Sequence, residues 1–199
     1  MSSATGHIPL PRIDMLSGNL QWQLLTTARE SIDYGFKSNG SLQIQPESFP
    51  PPLRDIRATF VTIKIRSALR GCIGTTKAIS PLILSVADNA YAAAFRDPRF
   101  KPLQQDEYEK IQISISILTP SEPIQFSSEA ELINQLRPGI DGLIIEKDVC
   151  KATFLPAVWD SLPTPEDFLQ QLKIKAGIPG DQAPVRAWRY QSESIEETP

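Results

Sequence analysis

The chain has 199 residues, 41% of them apolar and 22% charged, with a formal net charge of −3. That length gives between one and two domains and a core of ordinary size. The balance excludes a disordered chain, a collagen, a coiled coil and a membrane span of about 18 apolar residues, and it offers no basic face to a nucleic acid.

Residues 1–18 read as a polar, proline-marked tail without the basic and apolar regions of a secretory signal. The chain's one histidine, His7, lies there, and its two cysteines, Cys72 and Cys150, lack any CxxC spacing. This inventory argues against a Ser–His–Asp or Cys–His machine, a zinc site and a disulfide framework. No metal and no cofactor is expected, and the expected compartment is a reducing cytoplasm. Eighteen prolines, about 9% of the chain against a usual ~5%, mark the breaks.

The first helix is predicted over 20–36, where Leu24, Leu25, Ala28, Ile32 and Phe36 make one stripe and Gly40 supplies a left-handed stop. Residues 41–53, with Pro50-Pro51-Pro52, read as a stiff extended linker. Val61, Ile63 and Ile65 alternate with Thr62 and Lys64 in a half-buried strand, and 69–75 make a second. Ser80-Pro81 opens a helix that runs to Phe95 and stops at Asp97-Pro98-Arg99-Phe100. A strand over 108–118 sends Ile111, Ile113, Ile115 and Ile117 to one face. Ser128-Glu129-Ala130-Glu131 is a capping box for a short helix. Strands over 142–146 and 151–155 form a hairpin. Thr164-Pro165-Glu166-Asp167 starts a helix that Gly177 ends. A last strand covers 185–190, and the chain from Ser192 reads as an acidic tail. The order yields two ββαβ units, open to a duplication or to two independent hairpin-plus-helix units. Either way it predicts α+β with antiparallel sheets.

Chemistry concentrates at Leu69-Arg70-Gly71-Cys72-Ile73-Gly74. Strict alternation puts Leu69, Gly71 and Ile73 on one face and Arg70, Cys72 and Gly74 on the other. If the leucine–isoleucine face is core, the thiol and the guanidinium look outward together, with glycines on each side admitting a ligand or backbone. Arg70 would then favour the thiolate of Cys72 and make it a nucleophile. The alternative is that Cys72 packs as a small hydrophobe. Asp97 and Arg99 form either a charged pair reaching the same groove or a local helix stop. Asp141 reads chiefly as a turn residue, Glu166 and Asp167 as helix-start acids, and Trp159, Trp188 and Tyr190 as packing.

The hexapeptide 69–74 resembles the signature of the AMMECR domain family, also called AmmeMemoRadiSam system protein A. The likeness extends in order through Phe60-Val61-Thr62-Ile63, Asp97-Pro98-Arg99-Phe100, the strand from Ile113 to Pro120, Gly142-Leu143-Ile144, Thr153-Phe154-Leu155-Pro156 and Lys175-Ala176-Gly177. Two departures stand out: Asp141 sits where many relatives carry histidine, and Ala58-Thr59 replaces a glycine-containing strand entry. The resemblance implies one AMMECR-type domain over 19–191. Its two subdomains would be unequal, the larger built from both ends of the chain, with the hexapeptide lining the cleft between them. It implies no established activity. It ties the chain to Memo-like and radical SAM proteins as partners in a modification pathway.

Two functional expectations follow. One is a cleft enzyme acting on a protein or a sizeable organic substrate, with Cys72 and Arg70 catalytic and Leu69, Gly71, Ile73, Gly74, Asp97 and Arg99 lining the site. The other is a non-catalytic adaptor whose cleft grips a protein. A nucleic-acid partner is opposed by the charge.

Overall fold

The computed structural model describes residues 16–184 and 186–197. His7 and the predicted strand start at Val185 lie outside the described residues. Helix α1, Gly18–Ser38, buries the predicted stripe: Leu24, Ala28 and Ile32 are sealed from solvent, and Leu25 and Phe36 pack beside them. It stops at Asn39 rather than Gly40. Asn39 takes the left-handed conformation (φ 51°), which a short polar side chain tolerates. The proline stretch is not a plain extended linker. Pro46–Ser48 makes a 3-10 turn and Pro51–Arg54 a one-turn helix, α2, because proline's fixed φ suits a helix start. Leu53 on α2 is fully buried.

The first sheet has the antiparallel order β2-β1-β3-β8, from β1 (Ala58–Ile65), β2 (Ala68–Gly74), β3 (Ile111–Leu118) and β8 (Ser192–Glu196). Val61 and Ile63 stand opposite Ile115 and Ile113, and all four are buried with α1 and with α3, Leu82–Phe95. The predicted strand start at Tyr108 is instead a 3-10 turn over Gln105–Lys110. Gln104 and Glu107 close a capping box there. The predicted acidic tail is β8: Ile195 joins the core opposite Ile115, and Arg29 grips Glu197 through two contacts of 2.7 Å.

The second sheet, order β4-β7-β5-β6, comprises β4 (Glu122–Ile124), β5 (Gly142–Lys147), β6 (Cys150–Phe154) and β7 (Arg186–Tyr190). Two further helices accompany it, α4 (Glu129–Gln135) and α5 (Pro165–Ala176). Leu143, Ile145 and Ala187 pack with Phe168, Leu169 and Leu172 of α5, and Trp159 stacks on Phe168 at 3.7 Å. Thr164 caps α5 by accepting the amide of Asp167, as predicted. Asp141 is fully buried and held by Arg137 (2.6 Å), with its carbonyl taking the Trp159 indole N–H. Its role is to fix the turn into β5.

The chain is thus α+β, and each sheet repeats one connectivity: a hairpin, a helix, then a strand that pairs with the hairpin's first strand. One face of each sheet carries helices. The opposite faces meet in a small cluster of Ala58 and Leu118 with Ile144 and Tyr190, flanked by Phe60 and Trp188. Among the described residues no helix is long and apolar enough to cross a membrane.

Candidate functional site

The site begins with an irregularity in the β1–β2 ladder. Ile63 pairs with Gly71 but Lys64 pairs with Leu69, so Arg70 is the extra residue of a β-bulge. Strict alternation therefore fails at one position. Leu69 leaves the core face and is 43% exposed, while Gly71 and Ile73 keep facing α3 and the first core. Leu69, Gly71 and Ile73, expected to line the site, do not reach its cavity.

The bulge also separates Arg70 from Cys72. Arg70 commits its guanidinium to Glu107 in a two-pronged pair, 2.8 Å on each prong, and lies 5.9 Å from the Phe100 ring centre. The pair raises Arg70 and lowers Glu107 from their ordinary values, hydrogen bonding being the main cause and burial opposing it. Arg70 is thus a clamp between β2 and the 105–110 turn, and the expected Arg70–Cys72 partnership is corrected. Arg70→Gln is expected to cost roughly 1–2 kcal/mol in urea unfolding and to leave the alkylation rate of Cys72 within about twofold of wild type.

The charged neighbours of Cys72 come from elsewhere. Its N–H donates to Asp97 Oδ2 (2.9 Å), its carbonyl accepts Arg99 Nη2 (3.0 Å), and the Thr62 hydroxyl donates to its sulfur (3.2 Å). Asp97 and Arg99 are bound to each other at 2.6 and 2.9 Å. Asp97 has a side chain only 1% exposed, whereas that of Arg99 is 51% exposed. The Arg99 guanidinium holds the Asp97 carboxyl down at about 2, against the opposing pull of burial and with help from the Cys72 amide. Arg99 is raised in turn, first by Asp97 and further by the Cys72 sulfur.

The second sheet completes the arrangement. Lys175, near the end of α5, donates to the Thr153 carbonyl (2.9 Å) and lies 5.1 Å from the Phe154 ring centre. Although Lys175 as a residue is exposed, desolvation around its ammonium lowers it below the usual lysine range; Cys72 opposes that shift and Arg99 adds to it. Tyr190, 1% exposed, meets the Thr153 hydroxyl at 2.8 Å and donates to the Phe154 carbonyl (3.0 Å). Burial is what pushes its phenol up. A cavity of about 390 Å3 opens beside these groups, with walls that include Phe60, Gly74, Thr75, Ile144, Thr153 and Lys175. Gly74 is the one hexapeptide residue among its walls; Arg70, Cys72, Asp97 and Arg99 are not among them. Cys72 lies two positions along β2, on the same face as Gly74.

Thr62, Thr153, Lys175 and Tyr190 are the members that residue chemistry alone missed. Lys175 reads as a charge suited to a helix C-terminus and Tyr190 as packing. The sequence signal that ties Thr62, Thr153 and Lys175 to a site is their place inside segments that carry the family resemblance. A larger hollow, about 950 Å3, lies between α1 and the start of β3. It holds no thiol, and its Arg29 is already tied to Glu197. Among the described residues no cluster of three or more His, Cys, Asp or Glu side chains is arranged for a metal.

Known proteins share this layout. A crystal structure of an uncharacterized protein from Pyrococcus horikoshii superposes with a TM-score of 0.79 at 32% identity, covering 87% of this chain and 89% of that one. A protein of Methanothermobacter thermautotrophicus is 35% identical over 182 residues, 87% of this chain and 92% of its own length. One from Thermococcus gammatolerans is 36% identical over 187 residues, 87% of this chain and 88% of its own. The AMMECR1 family model matches residues 25–195, from within α1 into β8, and on that span the chain belongs to the AMMECR1 family.

Proposed function

We propose that Cys72 is the working group of this AMMECR1-family domain, serving as nucleophile or thiol handle on a protein or organic substrate seated in the adjoining cavity. The reaction belongs to a modification pathway of the kind in which Memo-like and radical SAM proteins act. One observation carries this reading. The backbone of Cys72 is pinned on both sides by the Asp97–Arg99 pair, while its sulfur accepts from the Thr62 hydroxyl and lies near the cations of Arg99 and Lys175. Cys150 shows the contrast: among the described residues its sulfur meets the Gly177 carbonyl (3.7 Å) and the second core.

The test is iodoacetamide labelling of the folded protein, read peptide by peptide in a mass spectrometer. Cys72 is expected to react ahead of Cys150 by about tenfold or more, as for a thiol in an electropositive, accessible setting. Protein purified from its own cells is expected to carry a mass adduct on the Cys72 peptide. A Cys72 that stays unmodified while Cys150 reacts overturns the proposal. A Cys72→Ser chain that keeps its native protein partner and its cellular role would favour the adaptor reading.

A further inference from the structure

The cavity beside Cys72 has a chemical bias. Two of its walls carry ammonium groups, Lys175 and Lys151, and no lining residue is acidic. Lys151 is paired with Glu146 at 3.1 Å, a carboxylate that does not line the cavity. Lys175 is different. Among the described residues no carboxylate lies within salt-bridge distance of it, and its one hydrogen-bond acceptor is the Thr153 carbonyl. The Asp97–Arg99 pair nearby is neutral in sum, and both Asp97 oxygens are already taken by Arg99 and the Cys72 amide. Glu146 is shared with Arg186, so with Lys175 the region carries more than one uncompensated positive charge next to a hollow. A cation partly withdrawn from water and left without a counter-charge gains from an incoming anion.

The remaining walls describe the rest of such a ligand. Phe60 and Ile144 offer apolar surface from the two facing sheets, and Thr75 and Thr76 add hydroxyl-bearing walls. About 390 Å3 is the size of a small organic molecule's site rather than of a bare ion.

Building on the thiol reading above, we infer that this cavity binds a small organic anion, a carboxylate or phosphate ester with an apolar body, anchored by Lys175 and directed towards Cys72. The anionic head meets the Lys175 ammonium with Lys151 behind it. The apolar body lies between Phe60 and Ile144. The end facing along β2 is the one that the sulfur can attack.

Two measurements test this. The first needs no reactivity of Cys72. Phenyl phosphate, added to the 15N-labelled protein, is expected to shift the amide signals of Gly74, Thr75, Thr153 and Lys175. Phenol, its neutral relative, is expected to shift none at equal concentration, and Lys175→Gln is expected to weaken phenyl phosphate about tenfold. No selective shift with phenyl phosphate up to about 10 mM overturns the inference. The second measurement links the anion to the thiol by comparing iodoacetate with iodoacetamide. In either reagent the sulfur of Cys72, having lost its proton to the buffer, displaces iodide. An S–C bond forms as the C–I bond breaks, with no oxidant or reductant involved.

For a free thiolate such as N-acetylcysteine the negatively charged iodoacetate is disfavoured by like-charge repulsion. At Cys72 the iodoacetate-to-iodoacetamide rate ratio is expected to stand at least about tenfold above that reference and to fall as salt screens the site. Lys175→Gln is expected to slow iodoacetate labelling far more than iodoacetamide labelling and so return the ratio to the reference. A wild-type ratio at the free-thiol value, with iodoacetamide still labelling Cys72, overturns the anion inference and leaves the thiol proposal standing. Phenyl phosphate shifts together with a Cys72 inert to both reagents do the reverse.

Discussion

Gly71→Ala is expected to remove about 3 kcal/mol of folding stability, the upper end of what overpacking a core costs. A methyl group at Gly71 would collide with the Ala93 carbonyl oxygen and lie 3.0 Å from its carbon. These are backbone atoms inside α3, so no rotamer change relieves the contact. Either β2 or α3 must move, and both are fixed by the layer of Val61, Ile63, Ala90 and Ala94 between sheet and helix. Overpacking against a side chain can be absorbed; against a helix backbone it separates two layers. In urea the midpoint should fall with little change in slope, and the melting temperature should drop by roughly 10 °C for a chain of this size. Gly18→Ala is the matched control. Nothing lies within 4 Å of its added carbon, so that substitution is expected to be neutral or slightly stabilising. A Gly71→Ala loss below about 1 kcal/mol would mean that the strand does not sit this close to the helix.

The same close approach explains how the site is held. Gly71 lets β2 lie against α3, and the residue after it, Cys72, is thereby carried to the loop that leaves α3 at Asp97. The glycine thus contributes to the site by being absent as a side chain, which is why it counts as spacing rather than as lining.

Much of this was legible in the residues. The Thr164-Pro165-Glu166-Asp167 start of α5, the alternating isoleucines of β3 and the β5–β6 hairpin each carry a local signal, because capping and alternation act within a few positions. The order of elements was enough to give α+β and antiparallel pairing. What stayed hidden depends on contacts distant in sequence. β8 contains one buried apolar residue, Ile195, and is a strand only because the open edge of β3 pairs with it. The bulge at Arg70 is a register slip that no alternation rule foresees, and it exchanges the expected partner of Cys72. Asp97 and Arg99 were visible as a charged pair just past α3; they bind each other locally and also hold the Cys72 backbone. Lys175 comes close to the thiol only because the two sheets face each other across Phe60 and Ile144, an arrangement written in neither segment alone.

Asp97→Ala is expected to be the most damaging polar substitution at the site, costing about 3 kcal/mol at neutral pH. The carboxylate accepts four hydrogen bonds: the Cys72 amide at 2.9 Å, the Arg99 amide at 3.1 Å, and Arg99 side-chain contacts at 2.9 and 2.6 Å. Truncation leaves two backbone amides without their acceptor and a guanidinium without its counter-charge, half of it still able to reach water. Asp97→Asn keeps the shape but loses the charge, so an intermediate loss is expected.

The pH dependence separates charge from packing. The folded-state value of Asp97, about 2, lies below its ordinary 3.8, so its ionisation contributes stability that is fully present above about pH 4. That contribution disappears as pH falls through about 2, and the difference amounts to roughly 2 kcal/mol. The stability gap between wild type and Asp97→Asn is therefore expected to narrow by about that amount between pH 4 and pH 2, measured by urea titration at each pH. The acid limb of the variant should be correspondingly flatter. The same variant is expected to change Cys72 alkylation, because the amide anchor beneath the thiol is weakened, whereas Arg70→Gln is not. An Asp97→Asn chain as stable as wild type at neutral pH, with an unaltered acid limb, would show that the buried carboxylate is not what pins Cys72 in place.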